Sequence, residues 1–297
     1  MAQVEIHTVQ STTFTDREFL SGGKDGRAVL ITGELRLPRP GTDRLPAVVL
    51  LHGSGGINGG VTDWAQDLNS MGIPTFVLDS FTGRGIVSTI DDQAQLGRLA
   101  MIVDAYRALD LLSKHARIDP ARIAVMGFSR GGQAALYASM KRFQAMHGVA
   151  GEEFAAYVSF YPDCSCTYLK DEEVAKKPIR VFHGSADDYN PVAPCRAYVE
   201  RLKAAGKDVV LTEYAGAAHV FDWQALAKPE KLEKAQRTGQ CVLAESQGGV
   251  IINAKTKQTF TYADACVELG ATIAFDANAS SEARRAVKEF FAVTLKP

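Results

Sequence analysis

The feature that most constrains this chain is an alternation of short apolar runs with stretches of helical spacing. "PAVVLLHG" (46–53) is nearly continuous in apolar residues and closes on glycine, the pattern of a strand buried on both faces. A helix is predicted over 62–72, with Thr62 or Asp63 as N-cap and Gly72 just past its end. "IPTFVLDS" (73–80) reads as the next strand, and a long helix follows over 91–115, with Leu96, Leu99, Val103 and Tyr106 on one stripe. The pattern continues with a strand over 122–129, a helix over 130–142, and strands over 153–162 and 177–184. A helix over 193–206, a strand over 207–214 and a closing helix over 280–295, capped by serine, complete it.

Such alternation predicts an α/β fold: a mostly parallel central sheet with helices on both faces. Only "VEIHTV" and "AVLITGELRLP" lack a helix between them, as leading antiparallel strands do. Nothing resembling a linker interrupts the order, so 1–297 is read as a single domain. An irregular insertion at about 222–279 precedes the last helix and contains a hairpin in "GVIINAKTKQTFTY".

The bulk numbers exclude several function classes. With 33 basic and 34 acidic residues, the chain has no strong field to gather nucleic acid or an anionic membrane. No apolar run approaches the roughly 20 residues that span a bilayer. The N-terminus lacks a basic start and an apolar core, so no signal peptide is expected in the chain as given. A soluble protein is expected, cytoplasmic if the chain is complete, periplasmic or secreted if a leader has been removed. The five cysteines leave reduced thiols and disulfides both open, the pairs in question being Cys241 with Cys266, and Cys195 with Cys164 or Cys166. There is no phosphate-binding glycine loop and no zinc-type cysteine spacing, and no metal is expected. Oligomeric state, a homodimer included, is left open.

At the junction of one predicted strand and helix stands "Gly127-Phe128-Ser129-Arg130-Gly131". G-x-S-x-G in this setting is a nucleophile elbow, a sharp turn that lifts the serine oxygen above the sheet and tolerates only small neighbours. A serine hydroxyl needs a base to take its proton. His219, in "YAGAAHVFDW", follows a later strand, and Asp187, in "VFHGSADDYNP", follows another. The order Ser129, Asp187, His219 is that of α/β-hydrolases, and all three sit at carboxyl ends of strands, where ligands bind in such sheets. Asp188 and Asp163 are rivals for the acid. His7, His115 and His147 are read as solvent-exposed, and His183 as bonded locally. The glycine-rich loop "His52-Gly53-Ser54-Gly55-Gly56" can turn the N–H of Gly53 or of Ser54 toward an oxyanion, with the N–H of Arg130 as second donor.

Together "LLHGSGGIN", "FVLDSFTGR", "GFSRGG", "HGSADDYNP" and "AAHVFDW" resemble the dienelactone hydrolase family of the α/β-hydrolase superfamily, over roughly residues 45–225. The resemblance implies a small-molecule ester or lactone as substrate, hydrolysis and no cofactor. Two departures stand out: the dienelactone enzymes use a cysteine where this chain has Ser129, and they carry an acidic residue in the loop that here reads "HGSGG". The expectation is therefore a serine carboxylic-ester hydrolase. Arg84 falls near the position where the family holds a substrate carboxylate, and it or the Arg130 side chain can favour acidic esters. The alternatives are a peptidase of the prolyl-oligopeptidase kind and a non-catalytic hydrolase-like binding protein.

Overall fold

A computed structural model describes residues 3–297. The strands are β1 (Gln3–Thr13), β2 (Arg27–Leu37), β3 (Leu45–Leu51), β4 (Thr75–Asp79), β5 (Ile118–Phe128), β6 (Tyr157–Phe160), β7 (Cys166–Thr167), β8 (Ile179–Gly184) and β9 (Val209–Tyr214). Toward the C-terminus come β10 (Glu230–Arg237), β11 (Leu243–Ser246), β12 (Val250–Asn253) and β13 (Glu268–Ile273). The helices are α1 (Asp16–Leu20), α2 (Gly59–Ser70), α3 (Ala100–Ser113), α4 (Arg130–Tyr137), α5 (Lys141–His147), α6 (Val192–Ala204) and α7 (Ala277–Thr294).

The main sheet runs β1-β2-β4-β3-β5-β6-β8-β9. β1 and β2 pair antiparallel, β2 meets β4 antiparallel, and the pairs from β4 to β9 are parallel. β3 is buried along its whole length, and its residues alternate between two cores. Ala47, Val49 and Leu51 join α3, α4 and α6 on one face, while Val48 and Leu50 join α2 and α7 on the other. Both faces of a parallel sheet must be covered, which is why these strands read as continuous apolar runs rather than alternating ones.

The structure departs from the sequence reading in places with identifiable causes. A five-residue α1 lies between β1 and β2, closed by a Thr15–Glu18 capping box. α2 starts earlier than 62, because the Asn58 side chain, not Thr62 or Asp63, caps it. The helix expected over 91–115 exists only from Ala100. Upstream, the backbone carbonyls of Gln93, Leu96 and Gly97 turn outward to accept hydrogen bonds from the Arg130 guanidinium, which a helix could not allow. The helix expected over 130–142 is split, because Ser139, Met140 and Lys141 pair with the 173–175 backbone. α7 is capped by Asp276 rather than by a serine.

In the 222–279 segment, β10 pairs with β13, and β11 joins β12 and β7 in a second small sheet. The expected hairpin is present, with Asn253 and Gln258 closing its turn. Disulfides join Cys164 to Cys195 and Cys241 to Cys266. Cys166, the other candidate for Cys195, is a buried free thiol pushed up to about 12 by burial. Among the described residues no helix is long and apolar enough to cross a membrane.

Candidate active site

Ser129 stands between β5 and α4 with φ 53° and ψ −113°, a conformation that L-residues avoid and that costs on the order of 1–3 kcal/mol. Its neighbours explain how the turn is tolerated. A Cβ on Gly127 would lie 2.0 Å from the Gly131 carbonyl oxygen, and one on Gly131 would lie 2.3 Å from that of Leu51. Only glycine lets α4 start this close to β5 and β3.

The serine oxygen lies 2.9 Å from Nε2 of His219, and His219 Nδ1 donates to Asp187 Oδ2 at 2.7 Å. All three sequence-predicted residues therefore meet at one rim of the sheet. Asp187 Oδ1 accepts the backbone N–H groups of Tyr189 and Asn190, so the carboxylate is fixed by the turn that it starts. Burial works against ionisation of Asp187. The His219 charge and hydrogen bonds from His183 and His219 outweigh it and hold the carboxyl at about 2. His219 in turn is held through its backbone: its carbonyl accepts Ala274 N–H, and it bridges to Ile273 at the end of β13. The late segment 222–279 thus clamps the histidine loop.

The rival acids have other partners. Asp188 accepts the backbone N–H and hydroxyl of Thr272, and Asp163 pairs with Arg98 at 2.5 Å. Gly53 and Ser54 both line the cavity beside Ser129. Their loop is tied down by Thr89 N–H, which donates to the Ser54 carbonyl, and by His52. The His52 Nδ1–H donates to the Gly53 carbonyl while Nε2 accepts Ser80 N–H, and burial keeps this imidazole neutral. Arg130, as first residue of α4, has a backbone N–H with no intrahelical acceptor.

One expected site residue is elsewhere. Arg84 does not reach the cavity: its guanidinium is buried and makes a two-pronged pair with Asp104 at 2.8 and 2.9 Å, with further bonds to the Ser80 carbonyl and Thr13 hydroxyl. The expectation that it binds a substrate carboxylate is overturned, because the side chain is buried and four of its five N–H groups are already bonded inside the protein. Three histidine readings change as well. His147 is buried, stacked on Phe19 and bonded to its carbonyl. His7 and His115 each place Nε2 3.1 Å from the Glu5 carboxylate and are half-buried.

Three residues escaped the sequence reading. Tyr161, with φ 38°, lies edge-on to His219 with ring centres 4.6 Å apart, and the Tyr189 ring lies tilted 4.9 Å from the same imidazole. Asp222, buried, accepts from the Tyr161 hydroxyl at 2.8 Å and from the Trp64 indole at 2.6 Å. Burial raises the Asp222 carboxyl above its ordinary value despite those two donors. Tyr161 directly follows β6 at the same sheet edge as Ser129, Asp187 and His219, a position that could have marked it.

Comparison with known proteins places this geometry in a family. The sequence pattern of the Dienelactone hydrolase family matches residues 34–243. A probable 2-oxo-3-(5-oxofuran-2-ylidene)propanoate lactonase of a Bradyrhizobium sp. is 26% identical over 193 residues, 61% of this chain and 75% of its own length. An acyl-protein thioesterase 1 of Gibberella zeae is 28% identical over 122 residues, 40% of this chain and 47% of its own length. In structure, the chain resembles a dienelactone hydrolase-like promiscuous phosphotriesterase from metagenomic libraries, with a TM-score of 0.62, 16% identity and 98% of each chain covered. The pattern spans well over half of the chain, Ser129, Asp187 and His219 included, so this protein belongs to the dienelactone hydrolase family of α/β-hydrolases and is a hydrolase of esters or lactones.

Proposed function

We propose that the protein is a serine hydrolase that cleaves carboxylic esters or lactones through an acyl-enzyme. The observation that carries this reading is the unbroken hydrogen-bonded line from Ser129 Oγ through His219 to Asp187, with contacts of 2.9 and 2.7 Å. His219 Nε2 takes the hydroxyl proton as Oγ attacks the ester carbonyl. Asp187 holds the imidazole by its Nδ1–H and balances the imidazolium charge. The backbone N–H groups of Arg130 and of Gly53 or Ser54 stabilise the oxyanion, aided by the positive end of α4. When the intermediate collapses, the alkoxide leaves with the proton from His219. Water then enters, gives its proton to His219 and attacks the acyl carbon, and Ser129 leaves by taking that proton back.

No cofactor enters this scheme. The two disulfides favour an oxidising compartment over a reducing one. Hydrolysis of p-nitrophenyl esters by wild type, Ser129→Ala and His219→Ala tests the reading. Both variants should lose at least about 1,000-fold in kcat while remaining folded. Wild-type turnover by folded Ser129→Ala would refute the assignment.

A further inference from the structure

The cavity beside Ser129 has a volume of about 300 Å³, roughly twice that of an apolar cavity able to hold benzene. Its wall is built by Phe128, Tyr161, Tyr189, Trp223, Leu232 and Ile273. Two carboxylates also border it. Glu230 is exposed, and Asp222 is committed to Tyr161 and Trp64. Among the described residues that line it there is no lysine or arginine.

The arginines in the neighbourhood are held by protein partners, although the buried Nε atoms of Arg98, Arg130 and Arg237 have none. Arg84 is buried against Asp104, and the Arg130 guanidinium is turned to the carbonyls of Gln93, Leu96 and Gly97. Arg98 and Arg237 flank a polar cleft on another side of Ser129, but they pair with Asp163 and Glu268. That cleft holds only about 40 Å³, room for water and not for an acyl chain. An anionic substrate entering the larger cavity would lose its hydration against aromatic walls, find no cation and meet Glu230.

We infer that the site selects neutral esters or lactones carrying an apolar portion of one to two rings, and rejects substrates with a carboxylate on that portion. The inference rests on the serine hydrolase reading for turnover, but not for binding. It assigns selectivity to the charge and shape of one wall, with Glu230 and Leu232 at positions where a change of charge alters the choice.

The test uses a matched pair, methyl 3-phenylpropanoate and methyl 3-(4-carboxyphenyl)propanoate, near neutral pH. Wild type should favour the neutral ester by at least about tenfold in kcat/KM. Leu232→Arg should narrow that gap by about tenfold, and Glu230→Gln, a change at an exposed position, should narrow it by a smaller factor. Calorimetric binding of both esters to Ser129→Ala should show the same order of preference. Discrimination in binding without any wild-type turnover would overturn the serine hydrolase reading and leave the pocket inference standing. Equal or better handling of the carboxylated ester, or no binding of the neutral one, would overturn the pocket inference.

Discussion

The Tyr161 hydroxyl donates to Asp222 at 2.8 Å, and the same tyrosine presents its ring edge-on to the imidazole of His219. A buried carboxylate that looks remote from the chemistry thereby sets one wall against which the histidine rests. Asp222→Ala leaves the Tyr161 hydroxyl and the Trp64 indole N–H buried with no acceptor, a loss of about 2–4 kcal/mol in stability. A fall in kcat larger than any rise in KM is expected as well, because His219 loses a fixed neighbour. Denaturant unfolding and steady-state kinetics check both. An unchanged kcat would separate Asp222 from the histidine.

Much of the candidate site was legible because Ser129, Asp187 and His219 lie at the ends of strong signals. Ser129 lies in a five-residue pattern between a strand and a helix, Asp187 follows the mostly buried β8, and His219 follows the edge strand β9. Arg84 was misread because sequence position does not reveal Asp104, a buried residue twenty positions on that takes both guanidinium prongs. Tyr161 and Asp222 were missed because their relationship depends on packing across 61 residues, which no local spacing encodes. The false helix start before Ala100 has the same origin. The periodicity of 91–99 is real, but a buried arginine from α4 needs the carbonyls there.

Asp187→Asn keeps the shape of the acid and removes its charge. It should lower kcat by roughly 10³–10⁴-fold by disturbing the tautomer and the balance of charge at His219. Asp188→Asn should change kcat only a few-fold, since Asp188 serves Thr272. Comparable losses in the two variants would contradict the choice of acid.

The same carboxylate gives a pH signature. Its folded value is about 2, below the ordinary 3.8, so its stabilisation is present above about pH 3.8 and is lost as pH falls toward about 2. The size is about 2 kcal/mol. Tm measured from pH 5 to pH 2 should therefore fall more steeply for wild type than for Asp187→Asn. Parallel curves would show that Asp187 is not held as described.

Arg84→Ala should destabilise the protein by about 3–5 kcal/mol, because it strands the Asp104 carboxylate inside the protein. The folded fraction should show no selective loss on acidic substrates. A defect confined to carboxylate-bearing esters, with normal stability, would return Arg84 to the binding site.

The disulfides close separations of 31 and 25 residues, and losing either should cost about 2–4 kcal/mol. In denaturant without reductant a single thiol, Cys166, should titrate, and all five cysteines should titrate after reduction. Five reactive thiols without reductant would contradict both bridges.

The most direct measurement of the central claim is intact mass after treatment with an organophosphonate ester, for wild type and for Ser129→Ala. Wild type should gain one phosphonyl group and lose activity in step with the gain, while the variant should gain none. An adduct of the same stoichiometry on folded Ser129→Ala would mean that another side chain is the nucleophile.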